Sequence, residues 1–390
     1  MMIEKNISIY VHYPWCKKKC PYCDFNSHSY SQYYSNFKSK LDKKKQAKNI
    51  NDFFFHNLLE DLDEETKEIK GANLVSIYFG GGTPSLFESK FIGKTIDEIV
   101  NRFETKKNIE ISMEVNPEDI TDEYLNSLRN TKINRISIGA QTFNDQLLLF
   151  IGRNHNSIDI ENAIKKIKNT FTNFNIDLMY GFRNQTLTQL SHDLEIIKKL
   201  NPPHISCYQL TVEEGTLFHK EKPKLPSNDQ LEVMQTFIEN TFKENYSNYE
   251  VSAFAKEKFE CIHNFHYWTF GDYIGIGPGA HSKLTYGDYI LRKSKVKDPI
   301  KYFDPLKRTL NVKKYAKKDI LLQYLMNILR TNIGFDLNDI ERVCNFVPTD
   351  ISKCLNKAKN YGLIEKNKFL KWVPTYKGRR FLNDLLLIFM

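Results

Sequence analysis

Short apolar runs alternate with longer amphipathic stretches over the first two hundred residues of the chain. The apolar runs are rich in β-branched and aromatic residues and predict six strands, at Ile7–Val11, Leu74–Phe79, Ile109–Val115, Arg135–Gly139, Ile176–Tyr180 and His204–Gln209. The stretches between them predict helices at Asp52–Ile69, Ser89–Phe103, Asp122–Arg129, Ser157–Thr170 and Leu187–Leu200. Repeated βα units imply a parallel sheet with right-handed crossovers. We therefore predict an α/β fold built on a partial (β/α)6 barrel.

The pattern changes after residue 245, and we divide the chain into three parts. Residues 1–245 form the predicted barrel, residues 246–298 form a segment that closes it, and residues 299–390 form a smaller C-terminal domain. The last part predicts helices and a two-stranded stretch, at Lys318–Arg330, Asn338–Val343, Asp350–Tyr361, Leu363–Val373 and, for a last helix, from about Tyr376. This order is typical of a winged-helix-like domain.

Composition and charge narrow the possible partners only slightly. The chain has 390 residues, of which 41% are hydrophobic and 13% aromatic, which is enough apolar surface for two cores. The net charge of +9 comes mainly from lysines spread along the chain. The predicted helix Asp350–Tyr361 contains lysines but no arginine, which argues against a DNA-recognition helix. We expect no nucleic-acid partner.

The termini and the cysteines indicate a cytoplasmic protein. Strand-like alternation begins at Ile7, where a secretory signal would have a long apolar region. The longest apolar run, Leu385–Met390, is far shorter than the ~20 residues needed to cross a bilayer, so we expect no transmembrane segment. Seven cysteines in such a chain are expected to stay reduced.

Three of the cysteines lie within eight residues, at Cys16, Cys20 and Cys23, whereas the other four are scattered. Three thiolates from one loop suit a [4Fe-4S] cluster and leave one of its irons without a protein ligand. The alternative is a structural zinc site, for which His12 or His28 would supply the fourth ligand. For the scattered cysteines we expect small buried side chains.

Several unusual residues follow directly after predicted strands. The cysteines follow the first strand, Gly80-Gly81-Gly82-Thr83-Pro84 the second, Glu114 ends the third and Gln141 follows the fourth. The C-terminal ends of parallel strands meet at one rim, where barrels of this kind place their chemistry. We therefore expect the functional site at this rim.

The C-x3-C-x2-C spacing, with Tyr22 before the third cysteine and the glycine run on the next strand, resembles the signature of the radical-SAM superfamily. The resemblance implies a radical-SAM barrel in which the open iron chelates S-adenosylmethionine. It also implies that the cluster injects one electron into the sulfonium and produces a 5′-deoxyadenosyl radical.

Further motifs narrow the resemblance. Tyr10-Val-His-Tyr-Pro-Trp-Cys16, Cys23-Asp-Phe-Asn-Ser-His28, Gln141-Thr-Phe143 and Asp177-Leu-Met-Tyr-Gly181 look like the family of oxygen-independent coproporphyrinogen III oxidases and HemW heme chaperones. The positions that match the family's S-adenosylmethionine contacts are Tyr10, Tyr22, Gly81, Gly82, Thr83, Glu114, Gln141, Arg153 and Asp177.

Three features of the resemblance favour the chaperones over the oxidases. The oxidases carry a further cysteine where this chain has Phe25, and they have a long arm before the cluster, whereas fifteen residues precede Cys16 here. The segment His263-Asn-Phe-His-Tyr-Trp268 matches the H-N-x-x-Y-W motif associated with heme binding in the chaperones. This match implies heme contact by His263, Tyr267 and Trp268, with His263 or His266 as the axial ligand.

The implied function is that of a heme chaperone, which holds heme and passes it to acceptors such as membrane respiratory proteins. The alternative is an enzyme that oxidatively decarboxylates coproporphyrinogen III. We expect no such oxidase activity. The sequence leaves open whether radical chemistry takes place and whether the chain forms a homodimer.

Overall fold

The computed structural model describes residues 5–31, 49–67, 69 and 71–390. In chain order the strands are β1 Asn6–Tyr13, β2 Trp15–Cys16, β3 His28–Ser29, β4 Asn73–Gly81, β5 Glu104–Val115, β6 Arg135–Gln141, β7 Asn173–Tyr180, β8 His204–Gln209, β9 Ser247–Glu250, β10 Ala253–Ala255, β11 Asp272–Ile276, β12 His281–Thr285, β13 Tyr289–Lys295, β14 Thr309–Ala316, β15 Ile364–Lys366 and β16 Trp372–Pro374. The α-helices are α1 Ile50–Thr66, α2 Ser89–Val100, α3 Asp122–Arg129, α4 Asp145–Phe150, α5 Ser157–Thr170, α6 Leu187–Leu200, α7 Leu217–Glu221, α8 Asn228–Phe242, α9 Ile262–Trp268, α10 Pro299–Tyr302, α11 Leu321–Ile328, α12 Leu337–Cys344, α13 Ile351–Asn360, α14 Tyr376–Arg380 and α15 Leu382–Leu387.

One large sheet dominates the described part of the chain. Its strand order is β14-β13-β12-β11-β1-β4-β5-β6-β7-β8-β10-β9. The six predicted strands β1 and β4 to β8 pair in parallel in the order of the sequence, which confirms the partial (β/α)6 barrel. Antiparallel strands continue the sheet at both of its edges.

The connecting helices begin where polar side chains cap them. Asn156 and Asp159 form a reciprocal capping box at the start of α5, and Thr186 and Gln189 form another at the start of α6. Each box satisfies backbone N–H groups that have no partner inside the helix. The helices therefore start close to the predicted positions.

Successive side chains of β1 alternate between the apolar core and the opposite, polar face of the sheet. Ile7, Ile9 and Val11 are fully buried in the main apolar core. Because successive side chains of a strand point to opposite faces, Ser8, Tyr10 and His12 face the other side of the sheet. One face of β1 thus anchors the sheet in the core, and the opposite face presents polar side chains.

Strands β11 to β14 were not predicted. β11 pairs in parallel with β1, and β12, β13 and β14 then extend the sheet as antiparallel strands. β14 is exposed along nearly its whole length, and the alternation of Leu310 and Val312 with polar residues ends at Lys313-Lys314, which is too short to identify a half-buried strand.

The C-terminal helices α11 to α13, the β15–β16 ribbon and the last two helices enclose a second cluster of buried apolar residues. Phe270 and Ile290, which precede this part of the chain, belong to the same cluster. The second core is therefore joined to the segment that carries the predicted heme motif, and the domain boundaries at 245 and 298 stay a prediction. No helix among the described residues is both long and apolar enough to span a bilayer.

Candidate functional site

The segment from Cys16 to Cys23, here called the cysteine loop, is hydrogen-bonded through the residues before it to the end of the glycine run, just after β4. The backbone N–H of Gly82 donates to the carbonyl of Tyr13 over 2.7 Å, and that of Thr83 donates to the carbonyl of Trp15 over 2.9 Å. These two hydrogen bonds hold the backbone that leads directly into Cys16.

The close approach explains why glycine stands at these positions. Gly81 has a φ of +112°, which disfavours residues with a side chain. A Cβ atom on Gly82 would lie 2.6 Å from the carbonyl oxygen of Trp15, a backbone atom that cannot turn aside. The glycine run is thus a structural requirement of the cysteine loop.

A cavity of about 450 Å³ opens at the C-terminal rim of the parallel strands. Cys16, Cys20 and Cys23 line it together. So do most of the positions expected to contact S-adenosylmethionine, namely Tyr22, Gly81, Gly82, Thr83, Glu114, Gln141, Arg153 and Asp177. Tyr10 lies in the neighbouring cavity instead.

The environment of the thiols suits a cluster of soft ligands. The Thr83 hydroxyl donates to Cys16 Sγ over 3.3 Å, and Ser27 Oγ lies 3.8 Å from Cys23 Sγ. Burial raises the pKa of both thiols, while these hydrogen bonds to sulfur lower it. Thiolates with hydrogen-bond donors nearby are the usual ligands of iron–sulfur clusters.

The zinc alternative fits less well. Both ring nitrogens of His12 are occupied, since Nδ1 lies 3.2 Å from the Tyr10 hydroxyl and Nε2 lies 2.9 Å from the carbonyl oxygen of Asn26. His28 Nε2 contacts Asn26 Oδ1 at 3.1 Å and the Lys297 carbonyl at 3.2 Å.

A hydrogen-bonded chain connects both ends of the cysteine loop. Arg153 donates to the Tyr22 hydroxyl over 2.9 Å and to Asn116 Oδ1 over 3.0 Å. Asn116 in turn donates to Thr83 Oγ1 over 3.2 Å. Asn116 was not predicted as a site residue, although its place two residues after Glu114, at the end of a strand, was a usable signal.

Two partly buried carboxyl groups face the same cavity. Burial, and next the negative charge of Asp177, raise the pKa of Glu114 to about 7, although the Tyr78 hydroxyl and the N–H of Gly81 donate to its oxygens over 3.0 and 3.2 Å. Asp177 accepts from Ser137 at 3.1 Å and from Asn175 at 2.8 Å, and burial raises its pKa as well. Such groups can accept hydrogen bonds from the hydroxyls of a ribose.

A second cavity, of about 650 Å³, adjoins the first. The two share Phe25, Tyr78, Gly81, Glu114, Tyr208 and Asn264. Aromatic and histidine side chains dominate the rest of the second cavity, among them Tyr10, His12, His263, Tyr267, Tyr273 and His281. The volume is in the usual range of ligand-binding sites, and the lining combines aromatic rings with several polar and charged groups.

His263 is held so that one ring nitrogen stays available. Ser76 Oγ donates to Ser8 Oγ over 2.8 Å and lies 2.9 Å from His263 Nδ1, so it accepts a hydrogen bond from the Nδ1–H group. Among the described residues Nε2 has no hydrogen-bond partner. Burial lowers the pKa of His263 to about 3, which keeps the imidazole neutral.

The other residues of the segment 263–268 are placed differently. Tyr267 lines the second cavity, with its ring centre 5.2 Å from that of Tyr273. His266 is not among the lining residues, and its Nε2 lies 2.9 Å from the carbonyl oxygen of Asp272. Trp268 also lies outside the lining, with the Arg330 guanidinium 4.4 Å from its ring centre.

Comparison with known proteins agrees with this geometry. The model of the Radical SAM superfamily matches residues 10–197. Proteins described as heme chaperone HemW are 40% identical in Buchnera aphidicola (Schizaphis graminum), 38% in Haemophilus influenzae and 34% in Escherichia coli, each covering 98% of this chain and 98% of the relative. The structure of the coproporphyrinogen III oxidase HemN from Escherichia coli, described as a Radical SAM enzyme, has a TM-score of 0.80 at 23% identity, over 99% of this chain and 90% of the other, which shows a common fold. The chain therefore belongs to the HemW family of radical SAM proteins.

Proposed function

We propose that this protein is a cytoplasmic heme chaperone that binds heme in the second cavity and transfers it to acceptor proteins. The observation that carries the proposal is His263, a neutral imidazole in an aromatic cavity next to the cysteine loop, whose Nε2 has no hydrogen-bond partner in the described part of the chain. The relatives named heme chaperone HemW, which align over nearly the whole chain, support it. Seven unpaired thiols are typical of a reducing compartment.

Membership of the radical SAM superfamily implies a [4Fe-4S] cluster and S-adenosylmethionine. In this proposal Cys16, Cys20 and Cys23 hold the cluster, which when bound supplies a low-potential electron and one open iron. Thr83 and Ser27 would donate hydrogen bonds to the sulfurs. Glu114, Asp177, Arg153 and Gln141 would bind the polar groups of S-adenosylmethionine in the first cavity.

The second cavity offers what a heme requires from a protein. A neutral histidine is a good axial ligand, and the hydrogen bond from its other nitrogen to Ser76 fixes the ring orientation. The rings of Tyr10, Tyr78 and Tyr267 provide flat apolar surface for the macrocycle. Since His266 uses Nε2 for a backbone carbonyl, His263 is our choice of axial ligand.

Heme binding tests the proposal directly. Protein with a reconstituted cluster is titrated anaerobically with heme, and the Soret absorbance and the cluster spectrum are followed together. We expect His263→Ala to abolish the Soret shift with an unchanged cluster spectrum, and the matched variant His266→Ala to bind like wild type. Full heme affinity in both single variants and in the double variant would contradict a heme site at this segment.

Delivery to an acceptor needs a separate measurement. Heme-loaded protein is mixed with membrane vesicles that contain a heme-depleted respiratory cytochrome, and the vesicles are then sedimented. We expect the heme absorbance to move into the vesicle fraction. Heme that stays in the supernatant with this protein would argue for storage instead of transfer.

A further inference from the structure

Cationic side chains line one end of the second cavity, and the roles proposed for His263 and the tyrosines do not involve them. His281 on β12 and Arg292 on the paired strand β13 line this end together with Lys297, which follows β13. Glu114 is the single acidic side chain among the described residues that line the cavity, and it lies where the two cavities adjoin. The two ends of the cavity therefore differ in charge.

Neutral groups hold the guanidinium of Arg292 in place. One of its terminal nitrogens donates to the Tyr273 hydroxyl over 3.0 Å, and the other donates to Gln323 Oε1 over 3.1 Å. A guanidinium has five N–H donors, so further donors remain. Within the described part of the chain Arg292 forms no ion pair with a carboxylate.

Lys297 and His281 share the same positive environment. Lys297 is exposed and forms no ion pair with the acidic side chains that the structure describes. Burial lowers the pKa of His281, and the charges of Lys297 and Arg292 lower it further, which places all three groups within electrostatic reach of one another. Unpaired cations that converge on a cavity form a ready site for an anionic group.

We propose that Arg292 and Lys297 bind the carboxylate groups of the ligand, which makes this cavity selective for a porphyrin that bears two carboxylate side chains. The inference rests on the proposed function, because it assigns the polar end of the same ligand whose iron His263 would bind. Arg292 presents a planar fork that matches a carboxylate, and Lys297 adds a second, flexible donor at the open end. The cavity thus orients the macrocycle as well as holding it.

The experiment compares iron protoporphyrin IX with its dimethyl ester, which keeps the macrocycle and removes both negative charges. Cluster-reconstituted, full-length protein is titrated with each compound, as wild type and as Arg292→Gln, Lys297→Gln and the double variant. Lys313→Gln is the matched control, because Lys313 is paired with Arg292 across β13 and β14 but is exposed and lies outside the cavity lining.

We expect each cavity variant to weaken the binding of iron protoporphyrin IX about tenfold, with the ester bound equally by all proteins. Lys313→Gln is expected to bind both compounds like wild type. If Lys297→Gln and the double variant bind iron protoporphyrin IX, the diacid, as tightly as wild type, the proposed function stands while the inference is overturned. Equal losses for diacid and ester would overturn it too, since they would indicate damage to the fold of the cavity. Absence of any Soret shift in wild type would overturn the proposed function together with the inference.

A second measurement tests whether Arg292 and Lys297 bind the porphyrin or S-adenosylmethionine, which also carries a carboxylate. Equilibrium dialysis with labelled S-adenosylmethionine is expected to give wild-type affinity in the double variant. Loss of S-adenosylmethionine binding with retained diacid binding would assign the cations to the smaller ligand and overturn the inference.

Discussion

Cys16, Cys20 and Cys23 differ from the other cysteines in what surrounds them. They line one cavity together, whereas Cys207, Cys261 and Cys344 are buried elsewhere. Replacement of any one of the first three by Ala should abolish the cluster, because each would be one of three protein ligands. Iron content and the absorbance of reconstituted protein measure this.

The half-buried Cys354 supplies the matched control, since it lies on α13 in the C-terminal part of the chain. Cys354→Ala should keep a full complement of iron. Wild-type iron content in a variant of Cys16, Cys20 or Cys23 would show that the ligands have been wrongly assigned.

Glu114 makes the stability of the chain without cofactors depend on pH. The folded chain holds its proton up to about pH 7, whereas the ordinary pKa of a glutamate is 4.5. Between these values the folded state binds more protons than the unfolded state, so the free energy of unfolding falls as pH rises. The total loss is on the order of 3 kcal/mol.

Glu114→Gln should remove most of this dependence and make the cofactor-free chain more stable than wild type at pH 8, but not at pH 4. Urea unfolding at a series of pH values measures the difference. Parallel pH profiles for the two proteins would mean that Glu114 ionises normally in the folded chain.

At the scale of elements, β4 acts on the site through the glycine run at residues 80–82, which begins in the strand and ends one residue after it. Gly82→Ala would push a methyl group against the carbonyl of Trp15 and displace the start of the cysteine loop. We expect a destabilisation of about 1–3 kcal/mol and a marked loss of iron binding. Thermal unfolding and iron content after reconstitution measure the two effects.

Gly93→Ala is the control from a neighbouring element. Gly93 lies inside α2, where the nearest atom to an added Cβ would be 3.7 Å away. Alanine favours a helix over glycine by about 1 kcal/mol, so this variant should be as stable as wild type or more so, with full iron content. Equal stability and equal iron content in Gly82→Ala and Gly93→Ala would contradict a special role of the glycine run.

Across the whole molecule, the parallel half of the sheet could be predicted and the antiparallel edge could not. Buried parallel strands are strongly apolar runs separated by helices, and each of the six was found. By contrast, β14 has an exposed and mostly polar face, and its place in the sheet depends on pairing with β13.

The residues of the site also differ in how far the sequence could predict them. The motif residues of the first cavity were assigned from the family resemblance, and several of them also lie close together in sequence or at strand ends. Tyr273 and Arg292 reach the second cavity through the register of β11, β12 and β13 with β1, and no motif marks them. Local sequence carries no information on such pairings.

The common fold with HemN raises the question whether the whole molecule can also act as a coproporphyrinogen III oxidase. A shared fold does not imply a shared reaction, since reactions depend on the residues of the site. Where the oxidases are expected to carry a further cysteine, this chain has Phe25, whose side chain is 58% exposed and lines both cavities. An apolar ring there cannot provide the thiol.

We therefore expect that cluster-loaded protein supplied with S-adenosylmethionine and a reductant forms no protoporphyrinogen from coproporphyrinogen III. Chromatography of the oxidised porphyrins measures the product, and the Escherichia coli oxidase is the positive control. Product formed over multiple turnovers would instead establish the oxidase as the function of this chain.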